Sequence, residues 1–440
     1  MLPAGGAGAL SFIRSSWKAP VGIASFISTP ETHGLRRSRW LPTITSVVLA
    51  LMVLASTVCS ASLMPREAGA QSAAGTMGVA PPEVSAKAVY AIDLDSGAVL
   101  YSKHADDKRP IASITKVVTA LVTVQHVGLD EQVTIAEDDL IPPDSSFTKV
   151  GLRAGDVLTV ADLLEGLLLP SGGDAANALA RYVGGKLANT TDVNTSMTAF
   201  IDEMNAYATS LGLTESYFTS VAGDDDMGAF SSAHDLAIIG AQLMKNADLA
   251  WMVSQPSMQI ASQNGEAYPL KNTNEMIQAD NPVYDPNVVG IKTGSTEGAG
   301  ASVLLARKAN GGQSTVILVI LGSTLEYDGD YAIITDERWA DATAIFQDMD
   351  ARFTWTQLDE TGSAFPGLSE QLSVWGLELR DPPVVPLDKG ATFQLVVGSD
   401  GGENAGEVIV YSGESELASI PVYAAGSGSA GWYASPRQAG

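Results

Sequence analysis

Cysteine and histidine are both scarce in this chain of 440 residues. It has one cysteine, Cys59, and four histidines, and Cys59 lies inside a long apolar segment near the N-terminus. Disulfide bonds, thiol catalysis and thiolate metal sites are therefore excluded from the region that follows. The histidines show no ligand-like spacing, which argues against a zinc site and against a Ser-His-Asp triad. No cofactor and no metal are expected.

Basic side chains are also few. Lysine and arginine number 25 against 50 aspartates and glutamates, which gives a formal net charge of −25. Residues 1–70 contain six basic and two acidic side chains, a balance of +4, so removing them leaves −25 − 4 = −29 for the rest. Such a surface repels nucleic acid and gains nothing from an anionic membrane, so no nucleic-acid partner is expected. Its ordinary consequence is solubility.

The first 70 residues have the pattern of an export signal. The basic residues of "LRRSRW" precede the apolar stretch Leu41–Leu63, and the small residues Ala68–Ala70 fit a cleavage site. The apolar stretch is also long enough to span a bilayer if it is not removed. We therefore expect a signal peptide or N-terminal anchor over residues 1–70 and an exported, extracellular or envelope-associated protein. The small, Pro-containing residues 71–86 predict a flexible leader.

Residues 87–353 predict a domain that mixes helices with a sheet. "AVYAIDLD" and "AVLYSK" alternate around a "DSG" turn, which is typical of a β-hairpin. Amphipathic helices follow, two of them separated by "PSGG" and one with Ser232 or its neighbour as its cap. Between Asn287 and Ser323, three β-branched runs with Gly-rich turns predict an antiparallel meander. "DERWADATAIFQDMDARF" predicts a last helix on that sheet.

Helical signals end near residue 353. "LSVWGLELR" and three later apolar runs are broken by Gly, Pro and Asp turns, a pattern typical of short strands. Residues 354–440 therefore predict a small all-β domain and tail. The expected fold class is α/β (α+β), with an antiparallel sheet flanked by helices and a second, C-terminal β domain.

Three short motifs occur in order along the chain. Ser113-x-x-Lys116 lies on a predicted helix, "SGG" at Ser171–Gly173 lies between two helices, and "KTG" at Lys292–Gly294 ends a predicted strand. The first motif alone is weak, because a capping serine followed by a solvent-exposed lysine explains it more simply. The ordered set, on a helix, a loop and a strand, is the signature of penicillin-recognising serine enzymes.

The spacing of Ser113 and Lys116 suits a nucleophile and its base. Side chains at i and i+3 share one face of a helix, so the amine can reach the hydroxyl. A lysine acts as a base only when its pKa falls. The apolar neighbours in "IASITKVVTALV" and the cation of Lys292 are expected to lower the pKa of Lys116.

The sequence around these motifs resembles the D-alanyl-D-alanine carboxypeptidases of the S11 peptidase family, the low-molecular-mass penicillin-binding proteins. The resemblance covers roughly Ala86–Phe353 and rests on "IASITKVVTAL", "LTVADLLEGLLLPSGGDAANALA" and "VVGIKTGSTEGAGASVLLA". It implies the serine β-lactamase/D,D-peptidase-like fold and a peptidoglycan stem peptide ending in D-Ala-D-Ala as substrate. It also implies an acyl-enzyme on Ser113, and β-lactam antibiotics as covalent inhibitors.

The resemblance also assigns roles around the nucleophile. It implies that Ser171 relays a proton between Lys116 and the leaving amine. Lys292 and Thr293 line the strand along which the substrate would lie, and their charge and hydroxyl suit a terminal carboxylate.

The remaining expected contacts involve the end of the same strand. Gly294 lets the acyl group approach the backbone, and the N–H groups of Ser113 and Ser295 form the oxyanion hole. Arg338, which opens the last helix, matches an arginine that helps to hold the substrate carboxylate. For Ser171 and Thr293, an ordinary loop or strand hydroxyl without a catalytic role is the alternative explanation.

The chain departs from the family at Gly173, where the second motif normally ends in Asn. The missing amide would otherwise contact the substrate and the Ser–Lys pair, and its loss corresponds to about 1–3 kcal/mol. Two alternatives to an active carboxypeptidase therefore stay open. One is a catalytically weakened penicillin-binding or wall-binding homologue. The other is a class A β-lactamase, for which no convincing "E-x-x-x-N" glutamate motif follows the second motif.

Overall fold

The computed structural model describes residues 77–425, apart from 144, 146, 225–227, 330–331, 360–363 and 399–403. The described residues belong to one compact unit. Its helices are α1 (Lys116–His126), α2 (Val160–Leu168), α3 (Gly173–Ala188), α4 (Val193–Ser210), α5 (Ala233–Lys245), α6 (Ala247–Ser254), α7 (Arg338–Arg352) and α8 (Leu368–Trp375). Within this part of the chain, no helix combines the length and the apolar character needed to cross a bilayer. The predicted signal or anchor, residues 1–70, lies outside the described residues.

The strands lie mainly in groups before, between and after these helices. They are β1 (Ala88–Asp93), β2 (Val99–Lys103), β3 (Gln132–Thr134), β4 (Val157–Thr159), β5 (Ser257–Ala261), β6 (Ala267–Lys271), β7 (Val288–Thr296), β8 (Gly300–Ala309), β9 (Ser314–Ser323), β10 (Leu325–Tyr327), β11 (Ile333–Asp336), β12 (Thr354–Gln357), β13 (Leu377–Glu378), β14 (Val384–Leu387), β15 (Ala391–Val397), β16 (Asn404–Ser412) and β17 (Ser415–Ala424).

A five-stranded antiparallel sheet organises the fold, in the order β2-β1-β9-β8-β7. The predicted hairpin is β1–β2, and the predicted meander is β7–β8–β9, so both are confirmed. The first and last parts of the domain meet where β1 pairs with β9. This order leaves β7, which carries the "KTG" motif, at one edge of the sheet.

Apolar side chains on alternate positions of the sheet face two different cores. On β9, Ile317, Val319 and Leu321 join the core formed with α1 to α6. Their neighbours Val316, Leu318 and Ile320 face the opposite core, which includes α7 and the C-terminal strands. Side chains alternate between the two faces of a strand, so a strand in a sheet that is covered on both faces is apolar at every position. The run "VILVIL", residues 316–321, has this pattern. Each such buried side chain contributes about 1.5–3 kcal/mol.

Residues 77–86 differ from the predicted flexible leader of residues 71–86. The N–H of Val79 donates to the Leu100 carbonyl at 3.0 Å. The buried Asp341 carboxylate on α7 accepts from the N–H of Ser85 at 3.0 Å and from the N–H of Ala86 at 2.9 Å. This segment is fixed because its backbone donors have partners on β2 and α7, which local composition does not reveal.

The C-terminal region carries a four-stranded antiparallel sheet, β13-β17-β16-β15, and the pair β12–β14. The sequence predicts a strand over "LSVWGLELR", but its first four residues are the end of α8. Leu368 and Leu372, one helical turn apart, are both buried, and Gly376 with φ +62° ends the helix. The Trp355 Nε1–H donates to Asp93 Oδ2 at 2.8 Å, which links this region to β1.

Candidate active site

The turn before α1 places a serine hydroxyl next to the amine of a buried lysine. Residues Ala112–Thr115 form a single 3-10 turn rather than part of the α-helix, and Ala112 has φ +47°. Lys116 Nζ donates to Ser113 Oγ at 2.8 Å and to the Ala222 carbonyl at 2.9 Å. Lys116 is 2% exposed, whereas Ser113 stays partly exposed. A partly exposed serine hydroxyl is thus paired with a buried amine.

Burial is the main cause of the lowered pKa of Lys116. It brings the pKa down to about 8, against the opposing charges of Asp224 and Asp174. The sequence predicts a further lowering by the cation of Lys292, and the two side chains do lie close enough for their charges to repel each other. The repulsion between the two ammonium groups lowers the pKa of Lys292. At neutral to mildly alkaline pH, a useful fraction of Lys116 is therefore neutral and can accept a proton.

The second motif lies in the loop between α2 and α3. Ser171 is 4% exposed and has φ +65°, and its Oγ is buried without a hydrogen-bond partner. Its carbonyl accepts from Thr148 Oγ1 at 2.6 Å. A buried hydroxyl without a partner is a costly arrangement, and it leaves the group available for a ligand or a transferred proton.

Gly173 begins α3, and its N–H donates to the Thr148 carbonyl at 2.8 Å. A Cβ at this position would lie 3.2 Å from Ile141 Cδ1 and 3.2 Å from Thr148 O. The loop that holds Ile141 and Thr148 therefore occupies the space into which a side chain at 173 would first extend. An asparagine here requires this loop to move by a few tenths of an ångström.

Asp174 holds that loop in place, a role that the sequence motifs do not indicate. Its carboxylate accepts from the N–H groups of Val150 at 2.9 Å, Gly151 at 2.8 Å and Leu152 at 3.1 Å. Asp174 is 1% exposed, so these donors replace the water that an ionised carboxylate would otherwise need. Its negative charge also acts on Lys116, whose pKa it tends to raise.

The third motif lies on the edge strand β7. Lys292 is 1% exposed, and its Nζ donates to the Thr293 carbonyl at 3.1 Å. Burial, followed by the charges of Lys116 and Arg338, lowers its pKa well below the usual value. The Thr293 and Thr273 hydroxyls share a hydrogen bond of 2.7 Å. A buried ammonium with a single acceptor is a strong attractor for an anion that enters from outside.

Gly294 packs closely against the turn that carries Ser113. A Cβ at Gly294 would lie 2.6 Å from the Ile111 carbonyl oxygen and 3.3 Å from Ala112 Cβ. The missing side chain thus makes room for the turn that carries Ser113. Glycine at this position sets the distance between β7 and the nucleophile.

Arg338 lies behind β7, where its guanidinium binds protein groups. It donates to the Ser295 hydroxyl and pairs with Asp336. The predicted contact between Arg338 and a substrate carboxylate therefore has no free donor group to make it.

The residues that reach Lys116 from the loop after α4 also have no sequence signature. The Ala222 carbonyl accepts from Lys116, and Gly223 with φ +90° packs against Ala112. The only hint in the sequence is that residue 223 is glycine, which can adopt a positive φ. A glycine does not indicate which residue it contacts. In the described part of the chain, no three His, Cys, Asp or Glu side chains are grouped as metal ligands.

A protein-family model and known proteins match this part of the chain. The family model described as D-alanyl-D-alanine carboxypeptidase matches residues 75–324. D-alanyl-D-alanine carboxypeptidase DacB2 of Mycobacterium tuberculosis is 34% identical over 267 residues, which are 60% of this chain and 82% of that protein. D-alanyl-D-alanine carboxypeptidase DacC of Escherichia coli is 34% identical over 253 residues, 56% of this chain. The chain spans only 58% of the length of DacC.

A solved structure shows the same fold. The crystal structure of the Streptomyces K15 DD-transpeptidase superposes with a TM-score of 0.52 at 32% sequence identity. The match covers 61% of this chain and 98% of that chain. The region matched by the family model, residues 75–324, contains all three motifs.

Proposed function

Since the chain belongs to the D-alanyl-D-alanine carboxypeptidase family, we propose that it is an exported serine-type enzyme that removes the terminal D-alanine from peptidoglycan stem peptides. One observation carries the proposal: the buried Lys116 Nζ donates to Ser113 Oγ at 2.8 Å, and its pKa is lowered to about 8. A lysine in that state can remove the serine proton. The activity belongs to cell-wall biogenesis.

The reaction begins when neutral Lys116 takes the proton of Ser113. Ser113 Oγ then attacks the carbonyl carbon of the penultimate D-alanine, and the backbone N–H groups of Ser113 and Ser295 stabilise the oxyanion. The C–N bond breaks, and the amine of the leaving D-alanine receives a proton through Lys116 and Ser171. Water then attacks the ester, with Lys116 as base, and restores the free serine.

Two groups on β7 would bind the C-terminal carboxylate of the peptide. Among the described residues, Lys292 Nζ has one acceptor, the Thr293 carbonyl, and the Thr293 hydroxyl belongs to the next residue of the strand. A charge-assisted hydrogen bond in this buried place is stronger than a neutral one. β-Lactams would enter the same site, acylate Ser113 and remain attached, because the ring remnant obstructs the deacylating water.

A catalytically weakened penicillin-binding homologue is the second candidate. The observation that favours it is the glycine at 173, together with the crowding of that position by Ile141 and Thr148. Such a protein would acylate with penicillin and release little D-alanine. A class A β-lactamase is less well supported, because Glu203 bonds His126 and Glu215 pairs with Lys108, both away from Ser113.

Mass spectrometry of the intact protein tests the proposal. Incubation with benzylpenicillin should add one molecule to Ser113, and a peptide ending in D-Ala-D-Ala should lose D-alanine. Ser113→Ala should abolish both, whereas Ser210→Ala, on the exposed end of α4, should change neither. Labelling of Ser113→Ala would refute the assignment of the nucleophile. Penicillin labelling without release of D-alanine would favour the weakened homologue.

Export has its own test. The secreted and envelope fractions of producing cells should contain the protein, and its N-terminal residue should follow Ala70 if the signal is removed. Retention in the cytoplasm with residues 1–70 intact would contradict export.

A further inference from the structure

Arg338 has no nitrogen left for a substrate. It is 3% exposed, and its Nε donates to Asp336 Oδ1 at 2.7 Å. Nη1 donates to the backbone carbonyls of Gly294 at 3.1 Å and Ser302 at 3.0 Å. Nη2 donates to Ser295 Oγ and lies 2.7 Å from Asp336 Oδ2. Every guanidinium nitrogen therefore has an acceptor within the protein.

The charge of Arg338 is also already balanced. The Asp336 carboxylate lies against it, with only 20% of the Asp336 side chain exposed. A neutralised pair attracts an anion much less than a free cation does. Lys292, on β7, has no carboxylate partner among the described contacts, and its Nζ has one carbonyl acceptor.

The contact with Gly294 fixes the direction of one particular N–H. The Gly294 carbonyl and the Ser295 N–H belong to the same planar peptide group and, in a trans peptide, point in opposite directions. Arg338 holds the carbonyl from one side, so the Ser295 N–H is directed to the other. Arg338 also holds Ser302, which pairs with Gly294 in the β7–β8 ladder.

We propose that the Asp336–Arg338 pair is a positioning device for the Ser295 N–H, and that it does not bind the substrate carboxylate. The pair holds the Gly294–Ser295 peptide in the orientation that an oxyanion donor needs, and Lys292 and Thr293 receive the carboxylate. This role rests on the proposed function, because the Ser295 N–H is an oxyanion donor only in an acyl-transfer enzyme. Misplacement of such a donor costs about ten- to hundredfold in rate.

Two probes separate positioning from carboxylate binding. Benzylpenicillin carries the carboxylate, and its methyl ester does not. The second-order rate constant of Ser113 acylation is measured by mass spectrometry for both probes. Arg338→Lys should lower both constants by the same factor, about ten- to hundredfold. Lys292→Met should lower the constant for benzylpenicillin more than that for the ester. A loss confined to benzylpenicillin in Arg338→Lys would overturn the proposal.

Asp336→Asn provides a second variant that keeps the arginine. Removal of the negative charge leaves Arg338 cationic, so a carboxylate-binding arginine would favour benzylpenicillin over the ester in this variant. Positioning predicts slower acylation by both probes with their ratio unchanged. Arg352→Lys, at the exposed end of the same helix, is the matched control and should behave as the wild type.

A readout without catalysis keeps this inference separate from the proposed function. Amide hydrogen exchange over residues 292–302 should become faster in Arg338→Lys and stay unchanged in Arg352→Lys. Unchanged exchange in Arg338→Lys would refute the positioning role even if the protein is acylated normally. If the wild type is not acylated at all, the proposed function fails, and the exchange result still decides whether Arg338 holds β7.

Discussion

Gly223 and Ala112 are in direct backbone contact: a Cβ on Gly223 would lie 1.9 Å from the Ala112 carbonyl oxygen. Both residues have positive φ, +90° for Gly223 and +47° for Ala112. Ala112 immediately precedes Ser113, and the carbonyl of Ala222 accepts from Lys116. One short loop therefore supports both the turn that carries Ser113 and the lysine bonded to it, which are the nucleophile and base of the proposed function.

Gly223→Ala should damage the active site severely. The added Cβ has no room against backbone atoms and must also adopt a left-handed conformation, so we expect a loss of about 3 kcal/mol or more in stability. Acylation by benzylpenicillin should fall by about hundredfold or more. Gly228→Ala is the matched control, because Gly228 has φ +73° and nothing within 4 Å of its Cβ position. Equal melting temperatures and acylation rates in the two variants would contradict this prediction.

Acylation of Ser113 should depend on pH through Lys116. Only the neutral amine can take the serine proton, and the pKa of Lys116 is about 8. The acylation rate constant should therefore rise about tenfold per pH unit below pH 8 and level off above it. Lys116→Arg keeps the positive charge and should be nearly inactive at every pH. Stopped-flow or quenched mass spectrometry gives the profile, and a flat profile would mean that Lys116 only orients the serine.

Binding of a carboxylate should draw a proton to Lys292. Burial and two cations lower the pKa of Lys292, and a bound anion must raise it. Above the pKa of the free protein, binding therefore takes up protons, and the affinity falls as the pH rises. Calorimetry of Ser113→Ala with a D-Ala-D-Ala peptide, in two buffers of different ionisation enthalpy, measures the uptake. In Lys292→Met the uptake should disappear, and uptake that persists there would assign it to another group.

An asparagine at position 173 should help only when the loop beside it is relieved. Gly173→Asn alone meets Ile141 and Thr148, so we expect little gain in kcat/KM on a D-Ala-D-Ala peptide. The double variant with Ile141→Ala should exceed Gly173→Asn by about tenfold, equivalent to about 1.4 kcal/mol. Ile141→Ala alone serves as the control. Additive effects of the two substitutions would show that the loop does not restrict this position.

Most of the domain follows from local patterns in the sequence. The alternation around "DSG" predicts the hairpin β1–β2, and Ser232 caps α5 as expected, with its hydroxyl accepting from the Asp235 N–H. These elements are encoded within a few residues of where they form. The exception is α8, where Leu368 and Leu372 have helical spacing but the apolar residues that follow favour a strand prediction.

The site was predictable only in part, because several of its contacts join distant segments. The i, i+3 spacing of Ser113 and Lys116 indicates their contact directly. No local pattern shows that Arg338 faces the back of β7, since its acceptors are backbone carbonyls some 40 residues away, with separations of 44 and 36 residues. The same holds for Asp174, whose acceptor role depends on the N–H groups of a loop before α2.

The carboxylate of Asp341 joins α7 to the segment that precedes β1. Its hydrogen bond with Ser85 spans 256 residues of sequence, and β1 completes its pairing only with β9. During synthesis, β1 and β2 therefore exist as an isolated hairpin, which is marginally stable, until the meander and α7 have been made. Closing so long a loop costs entropy before any contact compensates for it, so we expect these contacts to form only after α7 has been made. Chains that stop before residue 341 lack the acceptor for Ser85 and Ala86.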